Sequence, residues 1–365
     1  MMFDRRLLLN FDYVLFVVML LLCGIGIINL YSIGASEGSA STEFYYRQLL
    51  WFCAGFIALA VFVYIPYARI IQYAYYIHGF FILLLFVVLF MGTTKLGSQR
   101  WISFAGFSLQ PSELAKMSFI FALTKFFSEN ISQKPFGLRD LLFPLLLLII
   151  TFVPIFLQPD FGTAGIFCII FFYFLLFIQL EKKTVLPFLG AVLCFLPCFW
   201  FFLKDYQKKR ILIFFDPSID PLKSGYQIIQ SIIAVGSGGL LGKGFGKGTQ
   251  SQLRFLPEQH SDFVFSVWAE EWGFLGCCVV LILFFILIYR GFRIAFSSKT
   301  FAGSFLALGI SCLLFAQFFI NICMTIGFFP VVGVPLPFMS YGGSALVSYM
   351  IGVGLLLNIG MRKFK

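Results

Sequence analysis

Charge is what this sequence is short of. Asp, Glu, Lys and Arg make up 12% of its 365 residues and apolar residues 60%, whereas a soluble chain carries roughly a quarter charged. That excludes an ordinary soluble domain. Histidine is scarcer still, at His78 and His260, and none of the nine cysteines forms a Cys-x-x-Cys pair. Local zinc motifs are therefore excluded, and the cysteines, all in apolar stretches, read as small packing residues. A phosphate loop is missing too. Gly242-Lys243 and Gly246-Lys247 are each followed by Gly, where Ser or Thr is required, and no Gly-x-Gly-x-x-Gly occurs in the glycine-rich stretch. No nucleotide site is expected. The net charge of +10 lies mostly in residues flanking apolar runs and gives no support to a nucleic-acid partner.

Long uncharged runs are what the sequence has. Tyr13–Ser36, Gln48–Ala68, Ile70–Thr94, Phe161–Leu180, Thr184–Leu203 and Trp272–Tyr289 each hold no Asp, Glu, Lys or Arg apart from Arg69 between two of them, and Thr300–Met361 holds none either. The last is long enough for two spans, divided by the Pro- and Gly-rich Pro330–Gly343. A span needs about 20 apolar residues. Leu141–Leu157 is slightly short, and Pro111–Phe127 is interrupted by Glu113, Lys116 and Lys125. Counting both predicts an all-α integral membrane protein of about ten transmembrane helices. Residues 1–365 form one polytopic domain with a long extracytoplasmic loop at 204–261. Tyr13–Ser36 is too long for a signal-peptide core, so it is expected to be retained.

Cytoplasmic segments carry the excess of Lys and Arg. With both termini inside, the inner segments hold Arg5, Arg6, Arg69, Lys125, Lys134, Arg139, Lys182, Lys183, Arg290, Arg293, Lys299, Arg362, Lys363 and Lys365. The short outer segments hold only Arg47, Lys95, Arg100 and Lys116. Both ends are therefore expected in the cytoplasm. Within the long loop, Tyr226–Val235 has the pattern of a short helix lying on the membrane surface, and the glycines after it fit close backbone approach.

Ionisable groups at membrane depth are candidates for function. Glu113 and Lys116 share a helical face at i,i+3, behind Pro111 in the first turn; the pair fits either a site or a structural tie between spans. Asp160 sits in the short outer turn between two spans and has the position of a helix cap. Arg100 is an outer-side guanidinium, solvated or available to a diphosphate. In Pro257-Glu258-Gln259-His260-Ser261-Asp262-Phe263, Ser261 is placed to cap the eighth span and Asp262 to lie in its first turn, with Glu270 and Glu271 about two turns deeper.

Several blocks match a known family. Gln99-Arg100-Trp101, Gln110–Lys116, Gln158–Thr163, Phe255–Phe263 and Pro335–Ser344 resemble the SEDS cell-wall glycosyltransferases, in family order from the second third of the chain to its end. Before them the match is only one of apolar spans. Gly248–Leu253, Gln158 ahead of Pro159-Asp160, and Ser344-Ala345-Leu346 resemble the RodA elongation branch rather than the FtsW division branch. Gln259 departs from the Arg of the family. The resemblance implies polymerisation of lipid II on the outer face of the bacterial cytoplasmic membrane during cell elongation. The growing strand on undecaprenyl diphosphate is the donor, and lipid II is the acceptor. It implies Asp262 as the catalytic carboxylate, acting as general base or metal ligand, and Arg100, Glu113, Lys116, Asp160 and His260 as substrate-binding residues. It also implies a divalent cation, Mg²⁺ or Mn²⁺. The implied partners are a class B penicillin-binding protein transpeptidase and other elongation-complex membrane proteins. Two rivals remain open at this point: a lipid II flippase, and a noncatalytic scaffold for a transpeptidase.

Overall fold

The computed structural model describes residues 10–37, 42–95, 98–104, 107–131, 135–187, 203–216, 219–220 and 224–362, with isolated positions 190, 200 and 201. Helices dominate. In chain order they are α1 (Tyr13–Glu37), α2 (Thr42–Tyr64), α3 (Tyr67–Gln72), α4 (Ala74–Met91), α5 (Pro111–Asn130), α6 (Leu142–Leu157) and α7 (Phe161–Phe177). They continue with α8 (Asp205–Phe215), α9 (Ser224–Ser237), α10 (Thr249–Gln252), α11 (Val264–Ser297), α12 (Phe301–Thr325) and α13 (Gly343–Met361).

Among the described residues, α1, α2, α4, α11, α12 and α13 are long and apolar enough to cross a bilayer, while α6 and α7 are apolar but shorter. With α5, these account for nine of the ten expected spans. The expected span at 184–203 lies mostly outside the described residues, as do Cys194 and Cys198. The other seven cysteines are free thiols. The core runs through α5, α12 and α13, whose side chains are almost wholly buried, while α2 and α4 leave Phe, Leu and Val exposed where lipid would contact them. The protein is a multi-pass membrane protein.

Three features depart from expectation. First, the segment before α5 forms a small antiparallel sheet, β1 (Thr93–Lys95), β2 (Ser98–Phe104) and β3 (Phe107–Leu109), in the order β1-β2-β3. Arg100 and Trp101 project from its middle strand. Second, the expected loop contains α8 and α10 as well as α9, and α9 has a buried face. It packs along α11 and α12, where Ser231 Oγ lies 2.7 Å from Ser266 Oγ and 2.7 Å from the Thr325 carbonyl that accepts its proton.

Third, α11 is two arms. Gly273, at φ 63° and ψ −161°, breaks it sharply, and the Trp268 indole of the first arm donates to Gly276 O of the second at 2.9 Å. The freed Phe274 and Leu275 N–H groups donate to Gly239 O and Leu240 O at 2.8 and 3.2 Å. Lys243 N and Gly244 N in turn donate to Glu270 O and Glu271 O, both at 3.0 Å. Exposed polar backbone is not tolerated at membrane depth, so the glycine-rich loop completes the broken helix. Close approach demands glycine at Gly242, where an added Cβ would lie 2.1 Å from Glu271 O.

This bend corrects the depth of Glu270 and Glu271. Arg290 pairs with Asp12 at the start of α1, and Glu271 accepts from Ser32. Those points are twenty residues apart on α1, about 30 Å. Glu271 is therefore at the end of the bundle away from Asp12, not deeper than Asp262. Glu270 Oε1 accepts from Lys243 Nζ at 2.7 Å, Gln250 N at 2.9 Å and Thr249 Oγ1 at 3.1 Å.

Gly273 occupies a backbone region that only glycine adopts readily, and a Cβ there would sit 2.3 Å from Gly242 N. Gly273→Ala is expected to cost about 1–3 kcal/mol from backbone strain, before counting that clash. A thermal melt of the detergent-solubilised protein measures this; an unchanged melting temperature contradicts the bend.

Candidate active site

One end of the helix bundle encloses a cavity of about 420 Å³. Its wall includes Arg100, Glu113, His260 and Asp262, together with Arg47, Trp51, Trp101, Gln110, Thr163, Glu258, Tyr341 and Ser344. Sequence blocks more than 200 residues apart thus meet at one place.

Each group is set by local structure. Pro111 starts α5, and Gln110 is its N-cap residue without capping it through its side chain. That side chain instead donates to Asp160 Oδ2 at 3.2 Å, while Gln110 N donates to Ser344 Oγ at 2.9 Å. Asp160 caps α7, its Oδ1 accepting from Thr163 N at 3.2 Å. Its Oδ2 also pairs with Arg100 Nη1 at 3.0 Å. The cap and the ion pair are therefore both present, one on each carboxylate oxygen. Burial alone would lower the pKa of Arg100, but Asp160 reverses this and holds it above its ordinary value, with smaller contributions from Asp262 and Glu113.

Glu113 Oε1 accepts from Lys116 Nζ at 2.8 Å. Glu113 lines the cavity; Lys116 is wholly buried behind it and does not. Lys116 therefore meets the cavity as the ion-pair partner of Glu113 and not as part of its wall.

Asp262 lies before α11 rather than in its first turn, and Ser261 does not cap the helix. The N-cap residue is Phe263, without a side-chain bond, and Ser261 Oγ turns to Glu258 O at 3.4 Å. The reason is a tight turn at Glu258, φ 50°, whose carbonyl accepts from Ser261, Asp262 and Phe263 N–H groups. The turn is tied to the loop before α13 by Tyr341 N to His260 O at 2.9 Å and by Ser340 Oγ to Ser261 O. Asn321 Nδ2 on α12 donates to Asp262 O at 2.9 Å and to Val334 O at 2.7 Å. Asp262 is thus fixed by its backbone, leaving its carboxylate to the cavity. The His260 ring stacks on Phe44 at 4.7 Å.

The Asp262 carboxyl is pushed up to about 6, first by burial and then by Glu258, against the opposing pull of Arg100 and Arg210. Among the described residues, no three His, Cys, Asp or Glu gather to hold a metal ion. Asp262 and Glu258 do line one cavity as two mutually repelling carboxylates. That donor set fits Mg²⁺, which is usually bound through one or two carboxylates plus substrate phosphates.

Glu258, Gln110 and Ser344 lay inside the motif blocks without a role assigned to them. Arg47 had only its place on the outer side to mark it. Arg210, whose Nη1 donates to Val331 O at 3.1 Å, was part of a basic cluster, and nothing local tied it to Asp262.

Known proteins of one family resemble this chain along most of its length. A family model described as cell cycle protein, FtsW/RodA/SpoVE, matches residues 12–365. The peptidoglycan glycosyltransferase MrdB of Escherichia coli K12 is 40% identical over 314 residues, covering 86% of this chain and 84% of the relative. A solved chain from work on the structural coordination of polymerization and crosslinking by a peptidoglycan synthase complex aligns with a TM-score of 0.82 and 32% identity. It covers 97% of this chain and 99% of that one. The rod shape determining protein RodA of Thermus thermophilus aligns with a TM-score of 0.72 at 26% identity, over 97% and 98% of the two chains.

Proposed function

The chain belongs to the FtsW/RodA/SpoVE family as a peptidoglycan glycosyltransferase of the RodA type, and we propose that it catalyses strand growth with Asp262 as its working carboxylate. The observation that carries this assignment is the convergence of Asp262, Glu258 and Arg100 on one outer-side cavity. The acceptor sugar's 4-hydroxyl gives its proton to Asp262 as the oxygen bonds to the donor anomeric carbon. The bond from that carbon to phosphate breaks, and undecaprenyl diphosphate departs with the electron pair. Arg100 is held by Asp160 with its charge directed toward the cavity, where it meets the diphosphate. Arg47 and Arg210 add positive charge nearby. Glu113 adds negative charge to the wall that Arg100 shares, and His260 shapes that wall with Phe44. In the alternative role, as metal ligand, Asp262 with Glu258 would hold Mg²⁺ or Mn²⁺, which would offset charge developing on the leaving group.

The location we propose is the bacterial cytoplasmic membrane with both termini inside, supported by the distribution of Lys and Arg. A class B penicillin-binding protein would crosslink the product, alongside other elongation-complex membrane proteins. An apolar groove of about 620 Å³ on α11 and α12, lined by Leu281, Phe285, Tyr289, Phe315 and Phe318, supports docking of its span there.

Purified protein supplied with lipid II and Mg²⁺ or Mn²⁺ is expected to make glycan strands; transfer of lipid II between leaflets without strands overturns the assignment. The pH dependence refines it. With Asp262 as the base and no ion bound to it, the raised carboxyl pKa means that it loses its base form as pH falls through about 6. The rate constant kcat/KM should be level near pH 7.5, halved at about pH 6, and fall about tenfold per unit below. A profile flat down to pH 4.5 excludes Asp262 as the base.

A further inference from the structure

Behind the cavity wall, the interior of the bundle holds polar atoms that no neighbouring side chain satisfies. Glu113 on α5 spends Oε1 on Lys116, and its Oε2 has no protein partner. Gln317 on α12 is wholly buried with neither amide atom bonded. Tyr349 on α13 is 2% exposed, and its hydroxyl is likewise unbonded. These groups are neighbours. The Gln317 amide lies beside the Tyr349 hydroxyl without closing a bond to it, and that hydroxyl stands in the field of Glu113. One turn along α12, Asn321 holds the Asp262 carbonyl with Nδ2 and leaves Oδ1 unbonded.

Buried polar atoms without a bond are costly and rare, so a group of them on three packed helices calls for a shared partner. That partner must accept from a hydroxyl and an amide and donate to a carboxylate and a carbonyl. A cation fails this requirement, because Lys116 already neutralises Glu113 and a second positive charge in a low-dielectric interior would be uncompensated. Water fits: it donates and accepts, and needs two to four polar partners.

We propose that Glu113, Gln317 and Tyr349 enclose an internal water site, through which Gln317 and Tyr349 act as positioning residues holding the free oxygen of Glu113 at the cavity wall. The positioning half rests on the reading of that cavity as the transfer site; the water site does not.

Hydroxyl-radical footprinting by X-ray radiolysis tests the site on the full chain in detergent, because bound water generates radicals in place. Tyr349 is expected to be oxidised, while Phe127 and Phe284, equally buried and packed against other phenylalanine rings, are not. An unlabelled Tyr349 overturns the site whatever the enzyme's activity proves to be. Positioning is read from lipid II polymerisation by Tyr349→Phe, which removes one oxygen, and by Gln317→Met, which keeps the side-chain length. Each should lower kcat about tenfold with KM within about twofold and the melting temperature retained. Removing either partner empties the same site, so the double variant should lose no more than the worse single one. Wild-type kcat in both single variants, or losses that multiply in the double, overturns the positioning role.

Discussion

Asp262→Asn should lower strand synthesis at least about 100-fold while leaving the protein folded and membrane-inserted. A positioned general base contributes roughly 10²–10⁴ in rate, and the substitution removes basicity with almost no change of shape. The fold has little to lose. Asp262 is held through its peptide groups, N–H to Glu258 O at 3.1 Å and C=O from Asn321 at 2.9 Å, and both bonds survive in the amide. Burial and Glu258 disfavour the native carboxylate, so the melting temperature is expected to hold or rise slightly. The check is a gel-resolved glycan-strand assay beside a thermal melt of the same preparation. Wild-type polymerisation by Asp262→Asn refutes the assignment. A collapsed melting temperature would place the carboxylate in the fold rather than in the chemistry.

The buried ion pair carries the second large effect. Lys116 is wholly enclosed and pairs with Glu113 at 2.8 Å, so Lys116→Met or Glu113→Gln alone leaves a charge without its counterion. Breaking a buried pair from one side costs about 3–5 kcal/mol, whereas removing both charges together is often close to neutral. The single variants should therefore melt far below the wild type, and Glu113→Gln with Lys116→Met should recover most of that loss. Activity should not recover with it, because Glu113 lines the cavity and the double variant still lacks its carboxylate. A double variant with full activity would reduce the pair to a structural tie between spans.

What was legible in the sequence was local or periodic. Apolar run length placed the spans, since a bilayer imposes its thickness on every segment that crosses it. Pro111 at the start of α5, the i,i+3 pairing of Glu113 and Lys116, and the capping role of Asp160 all follow from spacing of a few residues. The contact of Asp160 with Arg100 joins residues sixty apart and had no local signature. Neither had Arg210, drawn toward Asp262 by the packing of α8.

The mistaken cap at Ser261 shows a second limit. A Ser ahead of an apolar run is a cap by pattern, but the turn at Glu258 claims the same atoms first. Glu270 and Glu271 show a third. Hydropathy has no direction, so a chain that bends sharply at a single glycine reads the same as one that runs straight on. The small sheet around Arg100 went unseen because seven residues of strand, partly polar, carry too little pattern to stand out beside twenty-residue helices.

The attachment of α1 to both arms of α11 has a mechanical consequence. At one end, Arg290 grips Asp12 with two nitrogens; about 30 Å away, Glu271 takes the hydroxyl of Ser32. A rod bolted at both ends cannot tilt against its neighbour unless one bolt shears. α1 therefore splints the bend, with Asn29 also donating to Val264 O at 2.8 Å, and the angle between the two arms holds while these bonds do. The carboxylate of Asp262 thus stands at the head of a splinted arm, where loosening the contacts with α1 would move it.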